Sequence, residues 1–352
     1  MGCAQRYSRF VPNHKGLPQR CDEGAHWLMM IAASTAPWNA TLSQPQYLLC
    51  LYFLVIAGLA LFAGFLRTWT TRNEVGSRYR SAVVARLSVM IVASLSYFFI
   101  VVEFLRGYDV TGEGHRPNTE AILAFAPRYM DWSITVPLLT VELLAVCTIM
   151  GAAARRTQWL AGGGAFLMIF TGFLGAFVIG GGEDTTQLVL WGSISCVFWI
   201  FTTIVLIRSV QASTAHLTAE SASLLRQAAA LLLGGWAVYP LVFLIQIFAF
   251  GGGWTTTMQI ALCVTDVMVK IGFGSLIHRV AKLRTAEDVR AGDDVHPESI
   301  WISSIKQSDA GAAREVYLAE GAMIHPRRGR PPSAGAVAAA GTAEDDLSGL
   351  DD

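Results

Sequence analysis

The sequence predicts an all-α membrane protein with seven transmembrane helices, its N-terminus outside and its C-terminus in the cytoplasm. The chain is 53% hydrophobic and only 15% charged, whereas soluble domains carry about 25% charged residues. Its charges are concentrated in the termini and in short connections. Between them lie seven apolar stretches, each reaching the roughly 20 residues that a helix needs to cross a hydrocarbon core.

The seven predicted helices follow one another through connections that differ in their content of basic residues. The predicted ranges are 46–66, 81–105, 121–150, 158–181, 187–210, 226–250 and 255–280. Basic residues are abundant in the odd-numbered connections and after the last helix, whereas the segment 251–257 carries no charge. The positive-inside rule therefore places the odd-numbered connections in the cytoplasm. The basic residues that set this orientation are Arg67, Arg72, Arg78, Arg80, Arg155, Arg156, Arg208, Arg226, Arg279, Lys282 and Arg284.

The two ends of the chain are predicted to lie outside the helical domain 46–284. Residues 1–45 form an extracellular extension whose apolar patch 27–36 is too short to span and is either a signal-peptide core or part of that extension. Residues 285–352 are rich in Ala, Gly, Asp, Glu and Pro, which indicates a disordered cytoplasmic tail. The tail is too short and too polar to be a catalytic domain, and no enzyme activity is expected.

Composition also limits the partners that the chain is expected to have. The formal net charge is zero, and no nucleic-acid partner is expected. Six cysteines have no motif spacing, and four of them lie in apolar runs, where a free thiol behaves as a small hydrophobic group. We therefore expect neither a disulfide framework nor a metal site.

Lys270 is the most informative residue of the sequence. An amine in the middle of an apolar helix is costly in a bilayer and by default marks a functional site. Asp266 precedes it by four residues, which places the carboxylate one turn away on the same helix face. The pair is either an internal ion pair that holds two helices together or a lysine that forms a Schiff base with a carbonyl cofactor, with Asp266 in its counterion.

The third predicted helix carries two carboxylates at different depths. Arg128 and Thr135 lie one turn on either side of Asp131, and Glu142 lies about 16 Å further toward the cytoplasm near the same face. This arrangement indicates a proton relay rather than a structural pair. The sequence shows no cation for Glu142, so its carboxyl group is expected to hold a proton at rest, whereas Asp131 beside a cation is expected to be ionised.

Three motifs in this order resemble those of the microbial (type I) rhodopsins, seven-helix proteins with retinal linked to a lysine of the seventh helix. The resemblance spans roughly residues 46–284. The motifs are Arg128-Tyr-Met-Asp131-Trp132-Ser-Ile-Thr135-Val-Pro137-Leu-Leu, Trp236-Ala-Val-Tyr239-Pro240 and Asp266-Val-Met-Val-Lys270.

The resemblance implies a role for each matching residue. Lys270 would carry all-trans-retinal as a Schiff base in the core of the bundle, with Asp131 as primary counterion and proton acceptor and Asp266 as second counterion. Arg128 would be the outward gate, Thr135 would hydrogen-bond Asp131, and Glu142 would be the proton donor. Residues implied to surround retinal or its counterions are Tyr97, Trp132, Leu139, Met168, Gly172, Trp236, Tyr239 and Pro240.

The combination Asp131, Thr135 and Glu142 looks like that of the outward proton pumps of the proteorhodopsin and xanthorhodopsin groups. The alternative is a sensory rhodopsin that signals through a partner, although sensors usually lack a carboxylate at the place of Glu142. Leu139 falls where leucine accompanies green absorption. The family also implies a multi-pass protein of the cell membrane, in contact with lipid and assembled as pentamers or trimers.

Three further positions bear on this resemblance. Gly192 stands where many relatives have tryptophan, which implies either an opening beside retinal that accepts a carotenoid antenna or simply close helix packing. Ser96 replaces the histidine that usually precedes the tyrosine of the second helix. The last outer connection lacks a carboxylate, so proton release is expected directly from Asp131 or through Glu120 or Glu183.

Overall fold

The computed structural model describes residues 36–292, which form seven membrane-crossing spans and confirm the predicted fold class. The sixth span consists of two helices with a break between them, and the seventh consists of two helices joined by a π-helical turn. The helices are α1 (Gln44–Thr70), α2 (Arg80–Arg106), α3 (Ala126–Ala145), α4 (Gly151–Phe173), α5 (Thr185–Thr214), α6 (Ala219–Trp236), α7 (Val238–Phe248), α8 (Gly252–Val267) and α9 (Gly274–Arg290).

Six of these spans are long and apolar enough to cross a membrane on composition alone, as judged over the described residues. The third span falls short of that description because α3 carries Arg128, Asp131 and Glu142 within 20 residues. All three side chains are buried inside the bundle. The helix with the least membrane-like composition is therefore the one that carries the candidate site.

Several helix ends differ from the prediction. The fourth span begins at Gly151, so that Arg155 and Arg156 are exposed on the helix rather than in a connection. The third span is shorter than predicted, since α3 covers only Ala126–Ala145. The predicted ends differ because an apolar run marks only the part of a helix that lies in the hydrocarbon layer. The helix itself can extend beyond that layer into water.

Residues 36–43, which the prediction assigned to the N-terminal extension, pack onto the outer end of the bundle. Trp38 stacks on Phe177 with ring centroids 4.9 Å apart. Leu42 pairs with His115 of a small antiparallel hairpin, formed by β1 (Tyr108–Thr111) and β2 (Gly114–Pro117) in the second connection. The apolar patch that was considered as a signal-peptide core lies almost entirely outside the described residues.

At the other end of the bundle, α9 continues to Arg290, five residues beyond the predicted start of the tail at residue 285. Thr285 accepts a hydrogen bond from the backbone N–H of Gly76 at 3.0 Å, and Asp288 accepts one from the hydroxyl of Tyr79 at 2.7 Å. These contacts join α9 to the first connection. The predicted disorder of residues 293–352 concerns a segment outside the described residues.

Two irregularities in the helices lie beside the candidate site. Pro240 has no N–H to bond the carbonyl of Trp236, four residues earlier, and the sixth span breaks there, between α6 and α7. In the seventh span, a π-helical turn at Met268–Phe273 contains Lys270. Such turns inside α-helices frequently occur at functional sites. The kink of the sixth span was expected from Pro240, whereas the π-helical turn was not expected.

Candidate functional site

The amine of Lys270 is buried between two carboxylates from different spans. Its Nζ atom lies 2.6 Å from Oδ2 of Asp131 and 3.8 Å from Oδ2 of Asp266. All three side chains are at most 2% exposed. A buried charge is tolerated only when it is paired and hydrogen-bonded, so this triad accounts for how a charged lysine is held in the middle of the bundle.

Asp266 is held by donors from three other spans. Its Oδ2 accepts a hydrogen bond from the hydroxyl of Tyr97 at 2.9 Å. Its Oδ1 accepts from the indole N–H of Trp132 at 3.2 Å and from the hydroxyl of Tyr239 at 2.6 Å. Three donors fix the carboxylate in position.

Arg128 extends this network toward the outer side of the membrane. It donates to the hydroxyl of Tyr97 at 3.0 Å and to Oε1 of Gln259 at 2.8 Å, and it lies 3.9 Å from Oδ2 of Asp266. It also approaches Sγ of Cys263 at 3.5 Å. Gln259 and Cys263 were not predicted, because a neutral amide and a thiol in an apolar helix give no strong signal in the sequence.

Thr135 and Ser96 make contacts with backbone carbonyl groups. The hydroxyl of Thr135 donates to the backbone carbonyl of Asp131 at 3.0 Å. Ser96, at the place of the usual histidine, donates to the carbonyl of Pro127 at 3.3 Å. Thr135 therefore supports the helix turn that presents Asp131, and Ser96 links the second and third spans.

An apolar cavity of about 550 Å³ lies beside this network. Its volume falls within the range of about 300–1,000 Å³ that is usual for small-molecule sites. Trp132 and Tyr239 line the cavity and bond Asp266, which connects the cavity to the Lys270 triad. The predicted pocket residues that line it are Trp132, Met168, Gly172, Trp236, Tyr239 and Pro240, whereas Leu139 and Tyr97 are buried elsewhere in the core.

Glu142 lies on the cytoplasmic side of the triad and is 1% exposed. Neither of its carboxyl oxygens has a hydrogen-bond partner among residues 36–292. The expectation that no cation lies near it is wrong, because the buried guanidinium of Arg86 lies beside it. A Cβ atom placed on Gly274 would lie 3.0 Å from Nε of Arg86 and 3.3 Å from Oε1 of Glu142. Arg86 was visible within the second apolar stretch, and its charge was the signal that could have revealed it.

Comparison with known proteins assigns this bundle to a family. Residues 48–283 match the family model described as bacteriorhodopsin-like protein. The chain is a microbial rhodopsin. It is 27% identical over 235 residues to cruxrhodopsin-3 of Haloarcula vallismortis, covering 64% of this chain and 88% of that protein. It is 25% identical to archaerhodopsin-2 of Halobacterium sp. (strain aus-2), over 60% and 76% of the two chains.

Solved structures of other microbial rhodopsins share the fold. The structure of xanthorhodopsin, described as a light-driven ion pump with dual chromophore, has a TM-score of 0.64 and 28% identity. That match covers 71% of this chain and 98% of xanthorhodopsin. A thermophilic rhodopsin has a TM-score of 0.63 at 22% identity, which shows the fold alone.

The residues of this microbial rhodopsin fit the retinal that its family binds. An apolar cavity with aromatic walls suits a polyene. Of the two lysines in the described residues, Lys270 is buried in the core beside this cavity, whereas Lys282 pairs with Glu74. The amine of Lys270 lies next to two carboxylates that would neutralise a cation at that nitrogen.

Gly192 lines the same cavity, but a side chain from the sixth span fills the space beside it. A Cβ atom at Gly192 would lie 2.6 Å from the ring of Phe243. The glycine therefore allows close packing of the fifth and sixth spans, which was one of the two expected interpretations. A carotenoid seated against Gly192 would require the Phe243 ring to move.

Proposed function

We propose that this microbial rhodopsin is a light-driven outward proton pump. The observation that carries the proposal is the 2.6 Å contact between Nζ of Lys270 and Oδ2 of Asp131. It is combined with a further buried carboxyl, Glu142, on the cytoplasmic side of the triad. One carboxylate is thus placed to accept a proton from the lysine nitrogen, and another to return one.

The chromophore of this proposal is all-trans-retinal bound covalently to Lys270, which supplies light absorption and an isomerisation that disturbs the proton held at the lysine nitrogen. Asp131 is the nearer carboxylate and accepts that proton on Oδ2. Asp266 has three donors of its own and is 1.2 Å further from the nitrogen. In this proposal Asp266 is the second counterion, which stabilises the positive charge when the nitrogen is protonated.

The outward half of the path runs through Arg128. Its guanidinium contacts Tyr97 and Gln259 and lies near Asp266, so it links the buried carboxylates to the outer connections. Of the two carboxylates considered for release, Glu183 accepts a hydrogen bond from Asn39 and Glu120 pairs with Arg106. Both lie at the surface, and direct release from Asp131 past Arg128 is the simpler route.

The cytoplasmic half of the path depends on Glu142. In the proposed cycle this carboxyl gives its proton to the Lys270 nitrogen and is then reloaded from the cytoplasm. The nearby charge of Arg86 would stabilise the carboxylate for the interval between these two events. The break in the sixth span at Pro240 is the hinge that would change access from one side to the other.

Light-induced pH changes in an unbuffered suspension of bacterial cells test the proposal. Cells that express the chain and are supplied with all-trans-retinal should acidify the medium on illumination, and a protonophore should abolish the signal. Alkalinisation that the protonophore abolishes would show inward pumping, and alkalinisation that it enhances would show transport of another ion. A coloured protein without any pH change would overturn the pump and favour the sensor.

A further inference from the structure

Three residues at four-residue intervals form a stripe along the cytoplasmic part of the seventh span. Gly274, His278 and Lys282 lie on one face of α9, because a spacing of four residues nearly completes a helical turn. Gly274 lies against Glu142 and Arg86. The stripe therefore runs from the buried carboxyl toward the cytoplasmic surface.

Glu74, from the connection between the first and second spans, closes the surface end of this stripe. Its Oε2 lies 2.9 Å from Nζ of Lys282 and 3.1 Å from Nε2 of His278. Burial would raise the pKa of Glu74, but the hydrogen bonds and charges of Lys282 and His278 outweigh burial and hold that pKa below its usual range. An ionised carboxylate at this place attracts protons and stabilises a protonated imidazole.

Arg86 bridges the space between the two ends. Its guanidinium lies beside Glu142 at Gly274 and is also close enough to His278 for their charges to interact. Its Nη2 reaches Oγ of Ser275 only at 3.4 Å, and its Nε has no hydrogen-bond partner among the described residues. A buried guanidinium whose N–H groups are not all hydrogen-bonded binds water molecules or a carboxylate.

We propose that Glu74 and His278 form the proton-uptake route to Glu142, with Arg86 as the positioning residue between them. This inference rests on the proposed role of Glu142 as proton donor. A proton from cytoplasmic water binds the His278 ring, which becomes an imidazolium ion held by Glu74. It then passes along the helical turn that separates His278 from Gly274 to the Glu142 carboxylate beside Gly274, leaving a neutral imidazole and a neutral carboxyl group.

The groups that face His278 determine how easily it changes its charge. They are Glu74 from the first connection, Arg86 from the second span and Lys282 from its own helix. One carboxylate thus favours the imidazolium ion, and two cations oppose it. A relay group needs this balance, because it must release the proton as readily as it binds it.

The competing explanation is that the contacts of Glu74 with His278 and Lys282, here called the clasp, only hold the first connection against the seventh span and carry no proton. Rescue by a small molecule distinguishes the two. We would replace His278 with Ala and use Arg279→Ala as the matched control, because Arg279 is the next residue and is exposed. Proton uptake after a light flash would be followed with a pH-sensitive dye, in wild type, in both variants and in Glu142→Gln.

The relay predicts that His278→Ala slows proton uptake at least about tenfold and that added imidazole restores the rate, while Arg279→Ala keeps the wild-type rate. If His278→Ala is as fast as wild type while Glu142→Gln is slow, the relay is wrong and the proton-donor role of Glu142 stands. Wild-type uptake in Glu142→Gln would instead overturn the proposed donor. Slow uptake in His278→Ala without imidazole rescue would support the clasp and overturn the relay.

A second measurement does not depend on transport or on stable folding of the alanine variant. Infrared spectra of the protein in the dark report the carbonyl band of a protonated Glu142, assigned by its loss in Glu142→Gln. Arg86→Gln should shift this band, and the conservative Arg86→Lys should shift it less, whereas Arg279→Ala should leave it in place. An unshifted band in Arg86→Gln would remove Arg86 from the route.

Discussion

Lys270 and Asp131 are joined by an Nζ–Oδ2 contact of 2.6 Å in which both side chains are almost completely buried. The second carboxylate, Asp266, lies 3.8 Å from the same nitrogen. This asymmetry assigns different tasks to two residues of the same chemical type. In the proposed pump, the nearer carboxylate exchanges a proton with the amine, and the one with three donors is the second counterion.

Replacing Asp131 with Asn should destabilise the protein and abolish proton transport. Removing one partner of a buried ion pair costs about 3–5 kcal/mol when the other charge is left without compensation. Asp266 remains 3.8 Å from the Lys270 nitrogen, so the loss here should be smaller. Thermal unfolding in detergent and light-driven pH change would measure the two effects. Asp109→Asn, in the exposed hairpin, is the control. Undiminished pumping by Asp131→Asn would contradict the role of Asp131 as acceptor.

Glu142→Gln should slow the return of the proton and lower the pumping rate, while the absorption maximum changes little. The carboxyl lies on the cytoplasmic side, away from the Lys270 triad, so its loss does not alter the charges next to the lysine nitrogen. The rate of proton uptake after a flash and the absorption spectrum would be compared with wild type. A large change of colour would show that Glu142 acts on the triad directly.

A side chain at Gly235 should disturb the packing of the sixth span against the seventh, next to Lys270. A Cβ atom at Gly235 would overlap Cγ2 of Val269. We expect Gly235→Ala to destabilise the protein by about 1–3 kcal/mol through overpacking.

Gly234 provides the matched control for this substitution, since it precedes Gly235 in the same helix and a Cβ atom there meets nothing within 4 Å. Gly234→Ala should be neutral or stabilising, because alanine favours a helix over glycine by up to about 1 kcal/mol. Thermal unfolding of the two variants side by side tests the contact. Equal effects would show that the close approach to Val269 does not contribute.

The contacts of Glu74 with His278 and Lys282 should make the stability of the folded protein depend on pH. The pKa of Glu74 is lower in the folded protein than in the unfolded chain, so its contribution is present above the unfolded pKa and is lost as pH falls through the folded pKa. Glu74→Gln should therefore unfold at a lower temperature than wild type at neutral pH and at nearly the same temperature in acid. Unfolding temperatures measured across this range would contradict the clasp if the difference stayed constant.

The space beside Gly192 should become available when the Phe243 ring is removed. In wild type the ring packs against the glycine, so we expect no energy transfer from an added carotenoid. Phe243→Ala should permit the carotenoid to bind. Light absorbed by the carotenoid should then drive pumping, so that its absorption bands appear when the pumping rate is measured against wavelength. Energy transfer in wild type would show that the ring moves aside.

Much of this fold could be predicted because the bilayer imposes a simple rule on composition. Seven apolar stretches located all seven spans, and the charged residues within them pointed to Lys270, Asp131 and Glu142. The helix ends were less predictable, because nothing in an apolar run marks where a helix stops in water. The π-helical turn at Lys270 was not foreseen, since it has no sequence signature comparable to that of Pro240.

The contacts between distant residues were the least predictable part of the site. Arg86 and Gly274 are 188 residues apart in the chain and meet only because the second and seventh spans pack together. Packing of the third span against the seventh brings Gln259 to Arg128, and packing of the fifth against the sixth brings Phe243 to Gly192. Arg128 and Gly192 were singled out in the sequence, but their partners, like the contact between Arg86 and Gly274, could be identified only in the folded bundle.

Light-minus-dark infrared spectroscopy tests the central proposal most directly, because it observes the proton on the carboxyl group itself. The measurement compares wild type with Asp131→Asn, both reconstituted with all-trans-retinal. We predict that illumination produces the carbonyl band of a protonated Asp131 in wild type and that this band is missing from the variant. A wild-type spectrum without an Asp131-dependent carbonyl band, recorded while the protein pumps protons, would contradict the proposal.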